Sequence, residues 1–209
     1  MKKRLGISLV IGLCAASFAM AASAAYAVKT QEGIAGEVIR FHVLANSDSE
    51  YDQNLKLKVR DKIVGYMSEF FDENTNLEKA RNIITENINN IEAVAMDTLH
   101  ENNSDYSVNA EITTDFFPTK VYKNAVFPAG EYETLRIVIG EGKGKNWWCV
   151  MFPPLCFLDA SSAELPYDSK QELKSVLTED EYQVITNSNS PPFKVKLKII
   201  EIWENLFKK

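Results

Sequence analysis

The chain has 209 residues, with 23 Lys and Arg against 29 Asp and Glu, and a net charge of −6 at pH 7. That acidic balance gives no electrostatic reason to seek nucleic acid or an anionic membrane surface. Beyond the N-terminus only two Cys and two His (His42 and His100) are available, without the close pairing that structural zinc ligands show, so no metal site and no cofactor is expected.

Lys2-Lys3-Arg4 form a basic head, and residues 5–25 carry no charge. Ala22-Ser23-Ala24 and Ala25-Tyr26-Ala27 each fit a small-residue cleavage pattern. Residues 1–27 therefore read as a secretory signal peptide. The alternative is an uncleaved anchor, because an uncharged run of about 20 residues also suffices to span a bilayer. Cys14 follows Leu13 inside the apolar run and reads as part of it. Residues 28–37 are small and polar and read as a linker. Residues 38–209 read as one globular signalling domain.

Val38–Ala45 is rich in β-branched and aromatic residues and reads as a strand. Asn46-Ser47-Asp48-Ser49 is a turn cluster that also suits the cap of a following helix. From Asp52 to Phe71 the apolar residues Leu55, Val59, Ile63 and Met67 recur at helical spacing. A second helix is expected from about Leu77 to Glu101, capped by Thr75 or Asn76. Two consecutive amphipathic helices suggest an αα-hairpin laid on a sheet. Tyr106, Val108, Ala110 and Ile112 alternate with polar neighbours as a half-buried strand does, and Phe116–Tyr122 continues as strand or extended loop. Tyr132–Gly140 is the clearest strand. Gly140–Lys145 then joins it to the next segment as a β-hairpin. Asp168–Leu177, with Asp168 as cap, and Thr178–Thr186, with a Thr178–Glu181 capping box, read as short helices. Phe193–Lys209 reads mostly as a helix. The fold class is α+β: an antiparallel sheet with the αα-hairpin and C-terminal helices packed on it.

The densest apolar stretch is Asn146–Phe157, with two of the three Trp, two of the three Cys and two of the seven Pro. On one continuous strand Cys149 and Cys156 would lie roughly 23 Å apart, whereas a disulfide needs Cα atoms within about 7 Å. A reversal near Phe152-Pro153 would bring them opposite one another. A disulfide and a pair of buried free thiols both fit the sequence.

Chemistry-bearing patterns are weak. Gly140–Lys145 lacks the Gly spacing and the Lys-Ser/Thr pair of a phosphate loop and reads as a hairpin loop. His42 with Ser47 and Asp48 lacks a nucleophile elbow, and six residues on one strand and turn rarely converge. His100 ends a helix, where a cation suits the dipole. No catalytic residues are assigned. Two functional classes remain: a binding or signalling protein, and an exported thiol-dependent or cell-wall-directed hydrolase.

Ile39-Arg40-Phe41-His42-Val43-Leu44-Ala45-Asn46-Ser47-Asp48-Ser49, then Gln53 and Lys58-Val59-Arg60-Asp61, resemble the opening of the stage II sporulation protein R family. Gly130–Gly140 and Asn146–Phe157 resemble its middle motifs, of which Trp-Trp-Cys followed by Pro-Pro-Leu-Cys is specific. The resemblance runs from about Val38 to Phe157. It implies a protein made in the forespore of an endospore-forming bacterium and exported into the space between forespore and mother cell. There it would activate a membrane-embedded aspartic protease of the mother cell, which processes the pro-form of the mother-cell sigma factor (pro-sigma-E). Such a protein is an activator and not itself an enzyme. It meets the membrane only through its signal peptide or its receptor and binds no nucleic acid.

An activating ligand must bind the active state of its receptor more tightly than the inactive one. Aromatic residues and Arg are the usual interface anchors. Trp147, Trp148 and the segment holding Arg40, His42, Asn46 and Asp48 are the expected contact residues. The alternative for both Trp is core packing.

Overall fold

The computed structural model describes residues 2–72, 74–156 and 165–186. Its centre is β1 (Ile39–Leu44), an almost wholly buried strand. It lies in a four-stranded sheet ordered β2 (Val108–Phe117), β5 (Gly130–Ile139), β1, β6 (Asn146–Phe152). A separate two-stranded ribbon joins β3 (Lys120–Tyr122) to β4 (Ala125–Phe127).

The α+β class holds, with two corrections to the sheet. First, β1 and β5 run parallel, pairing Arg40 with Thr134 and Leu44 with Val138, so the sheet is mixed and not wholly antiparallel. Parallel neighbours need a long crossover. Here the helices and β2 supply it between the two strands. Second, β5 and β6 do not form a hairpin, because β1 lies between them and pairs with both. A loop joining them must cross two strand spacings, about 10 Å, and the segment 140–145 is long enough to do so.

Three helices cover one face of the sheet: α2 (Glu50–Ser68), α3 (Leu77–Glu86) and α4 (Ile88–Glu101). Leu55, Val59, Ile63 and Met67 of α2 meet Ile84, Ile91, Ala95 and Leu99, and together they close over Ile39, Phe41, Val43, Leu135 and Ile137. Ser49 caps α2 by accepting from the Asp52 amide at 3.1 Å, and Asn76 caps α3 from the Lys79 amide at 2.9 Å. The helix expected from Leu77 to Glu101 is two helices that break at Asn87. The Asn87 side chain donates to the Ile83 carbonyl at 2.9 Å, which competes with continuation of the helix.

The other face is half covered. There Val38, Phe117, Phe127, Tyr132 and Val150 pack with Ile34, with Leu173 of α5 (Tyr167–Val176) and with Tyr182 and Ile185 of α6 (Glu179–Thr186). α6 starts with the expected capping box: the Thr178 amide donates to Glu181 Oε2 at 2.9 Å, and the Glu181 amide to Thr178 Oγ1 at 3.4 Å. Asp168 is not the cap of α5. Pro166 holds that position, and Asp168 lies in the first turn. The expected helix over 193–209 falls outside the described residues.

Residues 28–36 are not a linker. They are the last turns of α1 (Lys2–Gly36), which runs on unbroken from the apolar segment. Ile34 is buried, and Gln31 Nε2 donates to the Glu131 carbonyl at 3.2 Å. The stretch Gly12–Gly36 is long and apolar enough to cross a membrane, with a mean hydropathy of 1.2. Residues 12–20 stand clear of the rest of the protein. An N-terminal apolar helix of this kind fits a signal peptide.

Candidate partner-contact face and its buried supports

β1 splits its side chains between the two faces. Ile39, Phe41 and Val43 enter the helix-side core, and Arg40 and His42 point to the other. Arg40 is fully buried. Its guanidinium carbon stands 4.2 Å from the centre of the Phe117 ring, 4.8 Å from Tyr132, 5.2 Å from Phe127 and 5.7 Å from Tyr122. Cation–π attraction is strongest where water is excluded, as it is here. Arg40 Nε donates to the Cys149 carbonyl and Nη2 to the Tyr122 hydroxyl, both at 3.0 Å. The Tyr122 hydroxyl donates in turn to the Trp148 carbonyl at 3.1 Å. Burial pulls the guanidinium below its ordinary pKa, and Tyr122 and Tyr132 partly restore it.

His42 sits two residues along, with 5% of its surface exposed. The Trp148 ring stacks on it at 3.8 Å and 19°. His42 Nδ1 lies 2.8 Å from Asp115 Oδ2. The other Asp115 oxygen accepts from Arg136 Nη1 at 2.8 Å, and Arg136 Nη2 and Nε reach Glu111 Oε1 at 2.7 and 3.1 Å. This row crosses the whole sheet, because the ladders place Glu111 beside Arg136, Arg136 beside His42 and His42 beside Trp148. Burial lowers the His42 pKa, and the bonds to Asp115 and Asn146 only partly offset it, which favours the neutral ring. Trp148, Arg136, Glu111 and Val138 are half-buried and Asn109 and Asn146 exposed, so this part of the face is open to solvent.

The turn after β1 holds the loop before β6. Asn46 Oδ1 accepts from the Glu141 amide at 3.0 Å, Asp48 Oδ1 from the Lys145 amide at 2.7 Å, and the Ala45 carbonyl from the Gly144 amide at 2.9 Å. Beneath them Asp52 is buried and accepts from Ser47 Oγ at 2.5 Å and Asn46 Nδ2 at 3.0 Å. Burial alone would raise the Asp52 pKa, but the hydrogen bonds from Ser47, Asn46, Tyr106 and Ser49 outweigh it and hold the carboxylate below its ordinary value. A β-carbon at Gly144 would collide with the Ser47 carbonyl. A side chain there would therefore push the loop off the turn.

The expected contact residues divide accordingly. Arg40 and His42 are corrected: both are buried, and their side chains bond inside the protein. Asn46 and Asp48 lie on the loop clamp. Trp148 borders the open face. Trp147 points to the opposite, helix-covered side, where Arg60 stands 4.2 Å over its ring. Ser47 and Asp48 do not approach His42 as a triad would; Asp115, 73 residues away, takes that place. Asp115, Arg136 and Glu111 were missed. The polar alternation Glu111-Thr113-Asp115 was visible, but its pairing with Arg136 depends on strand register. The chain reverses at the cis Phe152–Pro153 bond, bringing the Cα atoms of Cys149 and Cys156 to 5.7 Å with their sulfurs bonded as a disulfide. Among the described residues no group of three or more His, Cys, Asp or Glu is placed to hold a metal ion.

No solved structure matches the chain. The stage II sporulation protein R of Bacillus subtilis (strain 168) is 44% identical over 131 residues, which cover 63% of this chain and 58% of that protein. The chain thus spans less than two thirds of the length of the curated relative it matches. The family model described as stage II sporulation protein R matches residues 35–162, a span that holds the whole sheet, the Arg40 cage, the loop clamp and the disulfide. The chain belongs to the stage II sporulation protein R family.

Proposed function

We propose that this chain is an exported sporulation signal, made in the forespore, that activates a membrane-embedded aspartic protease of the mother cell and so starts processing of pro-sigma-E. The observation that carries this reading is the family match over residues 35–162. The apolar helix α1 supports export, since it is the element such a route requires. The space between forespore and mother cell is the compartment where the signal acts. Its contact surface is the open half of the sheet, with Trp148 and Arg136 as anchors of the residue types that dominate interfaces. The disulfide leaves neither Cys149 nor Cys156 as a free thiolate, which a thiol-dependent hydrolase would need.

The test is to co-express the full chain with the membrane-embedded aspartic protease and its pro-sigma substrate in a non-sporulating host and to follow processing on a gel. Processing that appears only with this chain, and only with its N-terminal segment intact, is expected. Absence of processing by a folded, exported chain overturns the reading. Trp148→Ala is expected to stay folded and to lose most of the processing. Full processing by that variant would move the contact surface elsewhere.

A further inference from the structure

β2 is an edge strand of ten residues in unbroken register with β5. Its outer side can be read from one bond. The Ala110 amide donates to Glu92 Oε2 at 3.2 Å and therefore points away from β5. In an antiparallel ladder that direction repeats every second residue. Ile112, Thr114 and Phe116 thus turn their N–H and C=O groups outward, and among the described residues no hydrogen bond takes them. Proteins normally shorten, bulge, charge or cover such an edge. Among the described residues only Glu92 takes a hydrogen bond from this edge, at its first rung, and Phe116, at its far end, is 65% exposed.

We propose that the edge of β2 from Ile112 to Phe116 takes an extended segment of the partner protease as a fifth strand of the sheet. This rests on the activator reading above and names the contact it uses. Strand addition draws affinity from main-chain hydrogen bonds and specificity from alternate side chains. On the polar face the incoming strand meets Glu111 and Asp115, four residues apart and bridged by a single guanidinium, Arg136. A Lys or Arg opposite either carboxylate completes that row. On the other face it meets Ile112, Thr114 and Phe116, which suit an apolar residue. The position also fits a membrane-bound partner. Phe116 pairs across the ladder with Glu131, whose carbonyl holds Gln31 of α1, so this edge lies at the end of the sheet from which the apolar helix departs. A second copy of this chain fits less well. Antiparallel self-pairing that joins Ile112 to Phe116 and Thr114 to Thr114 sets Asp115 against Thr113 of the copy, and β2 holds no Lys or Arg to place opposite either carboxylate.

The experiment uses the full chain in the co-expression assay with two variants. Thr114→Pro removes an outward N–H and leaves the bonds to β5 in place, a substitution that edge strands tolerate. Phe116→Asp changes an exposed side chain. Both are expected to fold and be exported and to lower processing roughly tenfold or more. Wild-type processing by folded Thr114→Pro overturns the proposal, also when Phe116→Asp is impaired, since that pattern marks a lipid or side-chain contact without strand addition. If Thr114→Pro does not fold, Phe116→Asp decides together with amide exchange in the wild-type chain. The Ile112, Thr114 and Phe116 amides are expected to exchange more slowly once protease-containing membranes are added, and unchanged exchange overturns the proposal. A wild-type dimer that Thr114→Pro converts to a monomer assigns the edge to a second copy and overturns it too. A wild-type chain that triggers no processing removes the activator reading and this proposal together, whereas full activity of wild type and both variants removes this proposal alone.

Discussion

Arg40 and Phe41 are neighbours on β1, and both are fully buried, one on each face of the sheet. Phe41 needs only to be taken out of water among other apolar groups, a non-directional requirement that many sequences satisfy. Arg40 needs particular partners. They come from the Cys149 carbonyl, 109 residues away, from the Tyr122 hydroxyl and from the four rings around it. Equal burial therefore has two kinds of support. The helix-side core degrades in proportion to the volume removed. The caged side depends on whether each polar group keeps its partner.

Truncating each neighbour gives the largest effects and breaks the comparison most directly. Phe41→Ala is expected to cost about 3–5 kcal/mol through lost burial and a cavity. Arg40→Ala is expected to cost about 3–5 kcal/mol as well, because it empties the aromatic cage and leaves the Cys149 carbonyl without its donor. Arg40→Met separates the two supports. Met refills much of the cage but donates no hydrogen bond, and replacing a buried charge by an apolar side chain of similar volume is often tolerated. We expect it to cost less than half as much as Arg40→Ala in urea unfolding at constant slope. An equal cost for Met and Ala would show that the hydrogen bonds, and not the packing, hold this face together.

The disulfide lies where the two faces meet. Cys149 is buried among the helix-side residues while its carbonyl takes Arg40, and Cys156 closes the turn after β6. A separation of seven residues closes a short loop, worth about 2.5 kcal/mol by the chain-entropy relation. Reductant is expected to lower the urea midpoint of the wild-type protein by a corresponding amount. It should leave the double variant Cys149→Ala, Cys156→Ala unchanged. A wild-type midpoint indifferent to reductant would mean that Cys149 and Cys156 are unbonded in solution.

The same division explains what was legible beforehand. Helical spacing of Leu55, Val59, Ile63 and Met67 located α2, and alternation through Leu135, Ile137 and Ile139 located β5, because each pattern reports burial on one side. The cap at Asn76 and the Thr178–Glu181 box were readable for the same local reason. The reversal at Phe152–Pro153 was readable from proline geometry. Order in the sheet was not. A strong strand next to a glycine loop and another strong strand reads as a hairpin, and nothing local announces that Ile39–Leu44 will insert between them. The contact residues suffered from the same gap. Arg40 and His42 look like surface residues in sequence, since their cage and their Asp115–Arg136 row assemble from strands 70 to 110 residues apart. The docked turns 28–36 read as a linker because their small polar residues carry one strongly buried anchor, Ile34.

The smallest effect is a pH slope, and it sharpens the comparison by isolating one group on the polar face. His42 faces Asp115 from β2, Arg136 from β5, and Trp148 and Asn146 from β6, with the Phe117 ring at its edge. Its folded pKa lies below the ordinary value of about 6.5 because burial disfavours the cation. Above pH 6.5 the ring is neutral in both folded and unfolded chains, and its contribution is complete. As the pH falls through 6.5 the unfolded chain takes up a proton that the folded chain refuses, so stability drops until the lowered folded pKa is reached. The expected slope for one such proton is at most about 1.4 kcal/mol per pH unit. In a melting series from pH 8 to pH 5, His42→Gln should flatten this part of the curve and leave the acid limb below pH 4, where Asp52 loses its hydrogen-bonded charge. A variant with the wild-type slope would place the proton uptake elsewhere. A slope of opposite sign would mean that Asp115 stabilises the His42 cation more than burial opposes it, and the ion pairs that Arg136 makes with Glu111 and Asp115 would then extend to His42.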